Sequence, residues 1–235
     1  MGAAMNPVSG IVEKFPLQID ASGAMLQADL SLPARARGLV LFAHGSGSSR
    51  LSPRNRQVAA RLNDARLATV LADLLTAEEE AIDERDRRLR FDIALLAERL
   101  VGLTDWLKAD RRTASLALGY FGASTGAGAA LVAAAQRPDA VGAVVSRGGR
   151  PDLAEQALER VRAPTLLIVG GNDGAVIDLN RRALASLHGT KQLSIVPGAT
   201  HLFEEPDALE TVSSLARDWF LRHLNPSPRL TDNVS

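Results

Sequence analysis

The sequence predicts an α/β fold, with a mostly parallel central sheet, helices on both faces and antiparallel strands at the N-terminal end. Three observations carry this. From residue 38 onward, short apolar runs of strand length alternate with segments of helical period. The run 38–43 is continuously apolar, as a strand covered on both faces must be, and apolar runs of strand length recur at 116–121, 140–145 and 164–169. Gly122-Ala123-Ser124-Thr125-Gly126 stands where one such run passes straight into an Ala- and Leu-rich helical stretch. The chain has 235 residues, 46% of them hydrophobic, which is enough for one sizeable core. No internal repeat or linker divides it, so a single domain without an inserted cap is expected over 12–224, between a flexible N-terminus (1–11) and a flexible C-terminal tail (225–235).

Taken in order, residues 12–20 and 24–32 are two extended segments around Ala21-Ser22-Gly23 and read as a hairpin, closed by Pro33. The strand 38–43 ends in the small-residue loop His44-Gly45-Ser46-Gly47-Ser48-Ser49, and Ser52-Pro53 reads as the N-cap and first residue of a helix through Val58, Ala59 and Leu62. A strand follows at 68–72. The charge run 76–90 reads as a solvated loop leading into a first helical turn. Ile93, Leu96, Leu100, Leu103 and Leu107 recur at three- and four-residue steps, the mark of an amphipathic helix. Beyond 116–121 and its helix come strands at 140–145, 164–169 and 192–196. A short helix is expected over 152–160, another over 178–187, and a last one through Val212, Leu215, Trp219 and Phe220.

Lys plus Arg and Asp plus Glu each total 27, so net charge is zero and nothing in the composition suggests nucleic acid as a partner. There is no cysteine, which excludes disulfides, thiolate metal sites and a cysteine nucleophile. No secretory signal and no bilayer-length apolar run is present, so a soluble, cytoplasmic protein without membrane attachment is expected, with a homodimer left open.

In sheets of this kind chemistry sits beyond the carboxyl ends of the strands. Ser124 turns the chain from strand to helix between two glycines, which admit the close backbone approach that the turn needs. A serine hydroxyl needs a base. Of His44, His188, His201 and His223, His201 follows the last strand and is the predicted base, whereas His44 shapes its own loop. The acid that orients the base is assigned to Asp173, in a Gly-rich loop directly after a strand, with Asp152 as runner-up; Asp178 reads as the start of the next helix. The two oxyanion amides are assigned to Thr125 and Ser46, with Gly47 as the alternative to Ser46. Arg147 and Arg50 stand at the same sheet edge and are candidates to grip an anionic group of the substrate.

Together His44-Gly45-Ser46-Gly47, the turn at Ser124, Gly170-Gly171-Asn172-Asp173 and Gly198-Ala199-Thr200-His201 resemble the α/β-hydrolase superfamily, and within it the dienelactone hydrolase-like branch. The resemblance spans about 12–224. It implies the α/β-hydrolase fold, no cofactor and no metal, and recognition of carboxylate-bearing lactones through arginines. One departure stands out: dienelactone hydrolases proper use a cysteine nucleophile, and this chain has Ser124. The function expected is a serine hydrolase of a small carboxylic ester, lactone or thioester. An acyltransferase or peptidase with the same triad, or a binding protein on a hydrolase scaffold, is the alternative.

Overall fold

The computed structural model describes residues 11–224; most of the expected flexible N-terminus (1–10) and all of the expected tail (225–235) lie outside the described residues. Eight strands form one sheet: β1 (Val12–Ala21), β2 (Ala24–Pro33), β3 (Gly38–Ala43), β4 (Leu67–Ala72), β5 (Leu118–Ala123), β6 (Val141–Arg147), β7 (Thr165–Gly170) and β8 (Lys191–Val196). Their spatial order is β1-β2-β4-β3-β5-β6-β7-β8. β1 and β2 make an antiparallel hairpin, β2 adds antiparallel to β4, and every later pairing is parallel. The hairpin turns through Ser22 (φ 56°) and Gly23 (φ 83°), two left-handed residues whose twist matches that of the strands.

Alternation along the central strands sorts the core into two layers. Val40, Phe42, Phe121 and Val145 face one side, where α1 (Pro53–Asp64) and α6 (Ala208–His223) pack. Leu39, Leu41, Tyr120 and Val144 face the other, against α3 (Ile93–Ala109) and α4 (Thr125–Gln136). Burying each Leu or Phe of this kind contributes about 1.5–3 kcal/mol. α5 (Gly174–Ser186) follows β7 and packs on a 3-10 stretch, Pro151–Arg160. α1 opens as expected, with the Ser52 hydroxyl accepting from the Asn55 amide at 3.3 Å. Among the described residues no helix is long and apolar enough to cross a membrane.

Two elements differ from the sequence-based expectation. The charge run is not a loop: Ala77–Asp86 is a helix, α2. Thr76 and Glu79 close a reciprocal capping box, and Glu78, Glu79 and Glu80 stand at the positive end of the helix dipole. Hydrophobic periodicity could not reveal it, because its one buried residue is Asp83. Second, α5 starts at Gly174, four residues before Asp178, so Asp173 occupies its N-cap position.

Because β4 lies on one side of β3 and β5 on the other, the chain reverses its direction of growth between β3 and β5. A crevice opens at such a switch point, outside the carboxyl ends of the strands. The loop 44–49 and Ser124 are the segments that emerge there.

Candidate active site

The site begins with a strained serine. Ser124 holds φ 49° and ψ −121°, a conformation that L residues avoid and that only an over-determined surrounding sustains. The two flanking glycines explain how the turn is made. A Cβ on Gly122 would lie 2.4 Å from Ala127 Cα, and one on Gly126 would lie 2.3 Å from the His44 carbonyl oxygen. Any larger residue would push α4 off β5 or the elbow off β3. The backbone of Ser124 is pinned on the other side by β6 and the segment after it: its amide donates to Arg147 O at 3.3 Å, and its carbonyl accepts from Arg150 N at 3.0 Å.

That same segment touches the histidine. A Cβ on Gly148 would meet His201 O at 3.0 Å and His201 Cε1 at 3.6 Å. His201 Nδ1 donates to Asp173 Oδ2 at 2.7 Å. Asp173 can make this bond because, although it stands at the N-cap of α5, its carboxylate caps no amide. Backbone contacts hold the two loops in register: Asn172 N donates to Ala199 O at 2.9 Å, Gly171 N to Val196 O at 2.8 Å, and Asn172 Nδ2 to Gly198 O at 2.8 Å. With Nδ1 as the donor, Nε2 carries the lone pair. No hydrogen bond joins Nε2 to Ser124 Oγ, so of the two ring nitrogens only Nδ1 is tied to a protein partner. Asp152, the runner-up acid, is instead forked onto Arg150 at 2.9 and 2.7 Å.

The other histidines have other positions. His44 is buried, its Nδ1 donating to Gly45 O at 3.0 Å and its Nε2 accepting from Leu74 N at 3.1 Å. Burial keeps its pKa below the ordinary imidazole value, so it is a neutral strut under the loop 44–49. His223 packs at a tilt against Trp219, with ring centroids 4.5 Å apart, and His188 lies just past α5.

The amides expected to face an oxyanion differ in what they already bond. Thr125 is the first residue of α4, so its amide has no acceptor within the helix and points outward. The Ser46 amide is not available in the same way, because it donates to Thr125 Oγ1 at 2.9 Å. Gly47, the alternative, packs against Arg90, whose Nη1 would lie 3.1 Å from a Cβ at that position. Gly45 comes closest to Ser124: a Cβ there would lie 3.1 Å from Ser124 Cβ, and no acceptor among the described residues takes its amide. Gly45 stands two residues past the end of β3, so its place beside the elbow follows from where that strand ends.

Neither candidate arginine opens onto this loop. The Arg50 amide and guanidinium both bind Asp73, at 2.7 and 2.8 Å, and its Nε lies 3.5 Å from Asp29, so its charge ties the loop to β4 and β2. Arg147 shares its strand face with Ala143 and Val145, toward the α1 and α6 layer, and is buried with Nε and Nη1 unpartnered. Burial, and then the nearby Arg54 cation, pulls its pKa down to about 10.

A narrow cleft of about 10 Å³, room for a single water-sized group such as a hydroxyl, adjoins the loop 44–49, lined by Gly45, Gly47, Leu75, Glu80, Arg90 and Leu96 among others. Its outer wall is α2 and the turn after it. Arg90 is clamped to Asp83 through its backbone amide (3.0 Å to Oδ1), through its Nε to Oδ2, and through Nη2 to the Asp83 carbonyl at 3.3 Å. Burial works to raise the Asp83 carboxyl, and the Arg90 bonds outweigh it, holding it below the usual carboxylate range. Among the described residues no group of three His, Asp or Glu side chains could hold a metal ion.

The site can be set beside known proteins. The model of the dienelactone hydrolase family matches residues 26–224. A crystal structure of a dienelactone hydrolase from Anabaena variabilis is 59% identical with a TM-score of 0.90, covering 91% of this chain and 99% of that one. Est1E from Butyrivibrio proteoclasticus shares the fold at 17% identity, with a TM-score of 0.73 over 88% of this chain and 98% of its own. Proteins of two Mycobacterium tuberculosis strains, each named "Putative phosphoribosyl transferase", are 59% identical over 213 residues, which is 90% of this chain and 47% of theirs. This chain therefore spans about half the length of the curated relatives it matches. Over residues 26–224, which take in β3 to β8, the elbow and the loops that carry Asp173 and His201, it belongs to the dienelactone hydrolase family.

Proposed function

We propose that the chain is a serine hydrolase acting on a small carboxylic ester, lactone or thioester, with Ser124 as nucleophile, His201 as base and Asp173 as the residue that orients the base. The observation that carries this reading is the 2.7 Å bond from His201 Nδ1 to Asp173 Oδ2, at the carboxyl ends of neighbouring strands and one loop away from the strained Ser124.

The chemistry runs in two halves. Nε2 of His201 takes the Ser124 proton as Oγ attacks the carbonyl carbon, and Asp173 stabilises the imidazolium that forms. The tetrahedral oxyanion is held by the amides of Thr125 and Gly45, with the N-terminal end of α4 adding its positive dipole. Collapse expels the alkoxide or thiolate, which leaves with the proton from His201. Water, deprotonated in turn by His201, then frees the acid from Ser124. Membership of the family, matched over residues 26–224, supports hydrolysis as the reaction. The transferase name belongs to Mycobacterium tuberculosis proteins about twice as long as the region matched, and is not carried over to this chain.

The test is a panel of p-nitrophenyl esters, lactones and thioesters assayed on the purified protein and on Ser124→Ala. Wild type is expected to turn over members of the panel, and Ser124→Ala to lose about 10³-fold or more in kcat, retaining only what oxyanion binding supplies. A folded Ser124→Ala protein with unchanged turnover would contradict the assignment.

A further inference from the structure

The charges around the cleft beside the oxyanion loop cancel in pairs, with one left over. Arg50 is matched by Asp73 and Asp29. Arg90 is matched by Asp83, whose side chain is 3% exposed. Of the acids on α2, Glu79 bonds Thr76 N at 2.8 Å and Arg99 Nη2 at 2.8 Å, and Asp86 pairs with Arg88. Glu80 alone is half-buried on the cleft wall with no partner for its carboxyl oxygens among the described residues. A helix of this composition does not require it there, since Glu78 and Glu79 already serve the dipole and the capping box. Across the cleft, Arg90 uses its amide, Nε and Nη2 on Asp83, while Nη1 has no partner and lies against Gly47. An acceptor and a donor thus face the same space. A hydroxyl group is the chemistry that satisfies both, donating its hydrogen to a carboxylate and accepting from a guanidinium. A carboxylate would find Arg90 already neutralised and Glu80 repelling it. Burial and the neighbouring Asp73 charge push the Glu80 carboxyl up, and the Arg90 charge across the cleft offsets them only in part.

We infer that Glu80 and Arg90 Nη1 form a hydroxyl-recognition subsite, so that the substrate is an ester or lactone with a hydroxylated acyl portion and not an anionic one. This rests on the serine-hydrolase reading. It also replaces the expectation, drawn from Arg147 and Arg50, of an anionic substrate.

The experiment compares phenyl esters of 2-, 3- and 4-hydroxybutyric acid with phenyl butyrate and monophenyl succinate, on wild type, Glu80→Leu and Glu80→Gln. Wild type is expected to favour at least one hydroxybutyrate over butyrate by about tenfold in kcat/KM, mainly through KM, with succinate the poorest; this is the scale of a hydrogen bond to a charged group. Glu80→Leu should collapse that ratio, and Glu80→Gln, whose amide oxygen still accepts, should keep most of it. In parallel, 3-hydroxy-γ-butyrolactone and γ-butyrolactone are titrated into Ser124→Ala with and without Glu80→Leu, followed by NMR. The hydroxylated lactone should bind more tightly only when Glu80 is present. No hydroxyl preference in either assay, or the same preference in Glu80→Leu, overturns the subsite. Absence of turnover for every ester, with hydroxyl-dependent binding intact, would instead count against the hydrolase reading and leave the subsite standing.

Discussion

The two sides of the crevice are built by different means. On the β5 to β8 side, Ser124, Asp173 and His201 are placed by backbone: glycines that admit close approach, and main-chain bonds from Gly171, Asn172 and Arg150. On the β3 to α2 side, the oxyanion loop and the cleft wall are placed by charges: Arg50 on Asp73, Arg90 on Asp83, Arg99 on Glu79. Backbone bonds in close-packed segments fix positions tightly and tolerate little change. Ion pairs at a partly open wall hold a shape that sequence change can retune. The proposed chemistry thus sits on the rigid side and the proposed selectivity on the adjustable one.

The largest expected effect tests the rigid side. Asp173→Asn should lower kcat on an activated ester by about 10⁴-fold, because the asparagine amide donates to Nδ1, which puts the imidazole proton on Nε2 and leaves His201 in the wrong tautomer. Asp152→Asn, which removes only a partner of Arg150, should leave kcat close to wild type. The reverse ranking in steady-state assays would move the acid to the segment after β6.

The next tests the wall. Asp83 is almost wholly enclosed, so Asp83→Ala strands the Arg90 guanidinium and should cost about 3–5 kcal/mol locally or globally. Hydrogen exchange locates the loss. Amides of α2 should exchange faster, while those of Gly171 and Asn172 keep their protection. Equal loosening of both regions would erase the distinction between them.

The smallest effect concerns pH. Burial lowers the pKa of His44 in the folded chain, whereas the unfolded chain titrates near the ordinary imidazole value of about 6.5. The unfolded state therefore binds more protons below that pH, and stability falls as pH drops from about 6.5 toward the lowered folded value. Thermal melts across this range should show the slope in wild type and a flatter one in His44→Gln. A slope unchanged by the substitution would assign it to other groups.

How much of this was legible in the sequence follows the same division. Apolar runs and small-residue turns report buried strands and their ends, so β3, β5, β6 and β7, the elbow, and the loops of Asp173 and His201 could be placed from residue pattern alone. The wall could not, because α2 has no apolar stripe and its order comes from a capping box and from an ion pair seven residues apart. The face taken by Arg147 was hidden for a related reason: being at a strand end does not say which face a side chain takes, and β6 alternation puts it with Ala143 and Val145. The bond that occupies the Ser46 amide was not legible either, because its partner, the Thr125 hydroxyl, lies 79 residues away.

The central claim is that Ser124 carries the acyl group. The most direct measurement is peptide mapping by mass spectrometry after reaction with a fluorophosphonate and, separately, after quenching a p-nitrophenyl acetate reaction in its burst phase. Both adducts are expected on Ser124, with neither appearing in Ser124→Ala. An adduct on another residue, or hydrolysis at full rate with Ser124 unmodified throughout, would contradict the covalent mechanism.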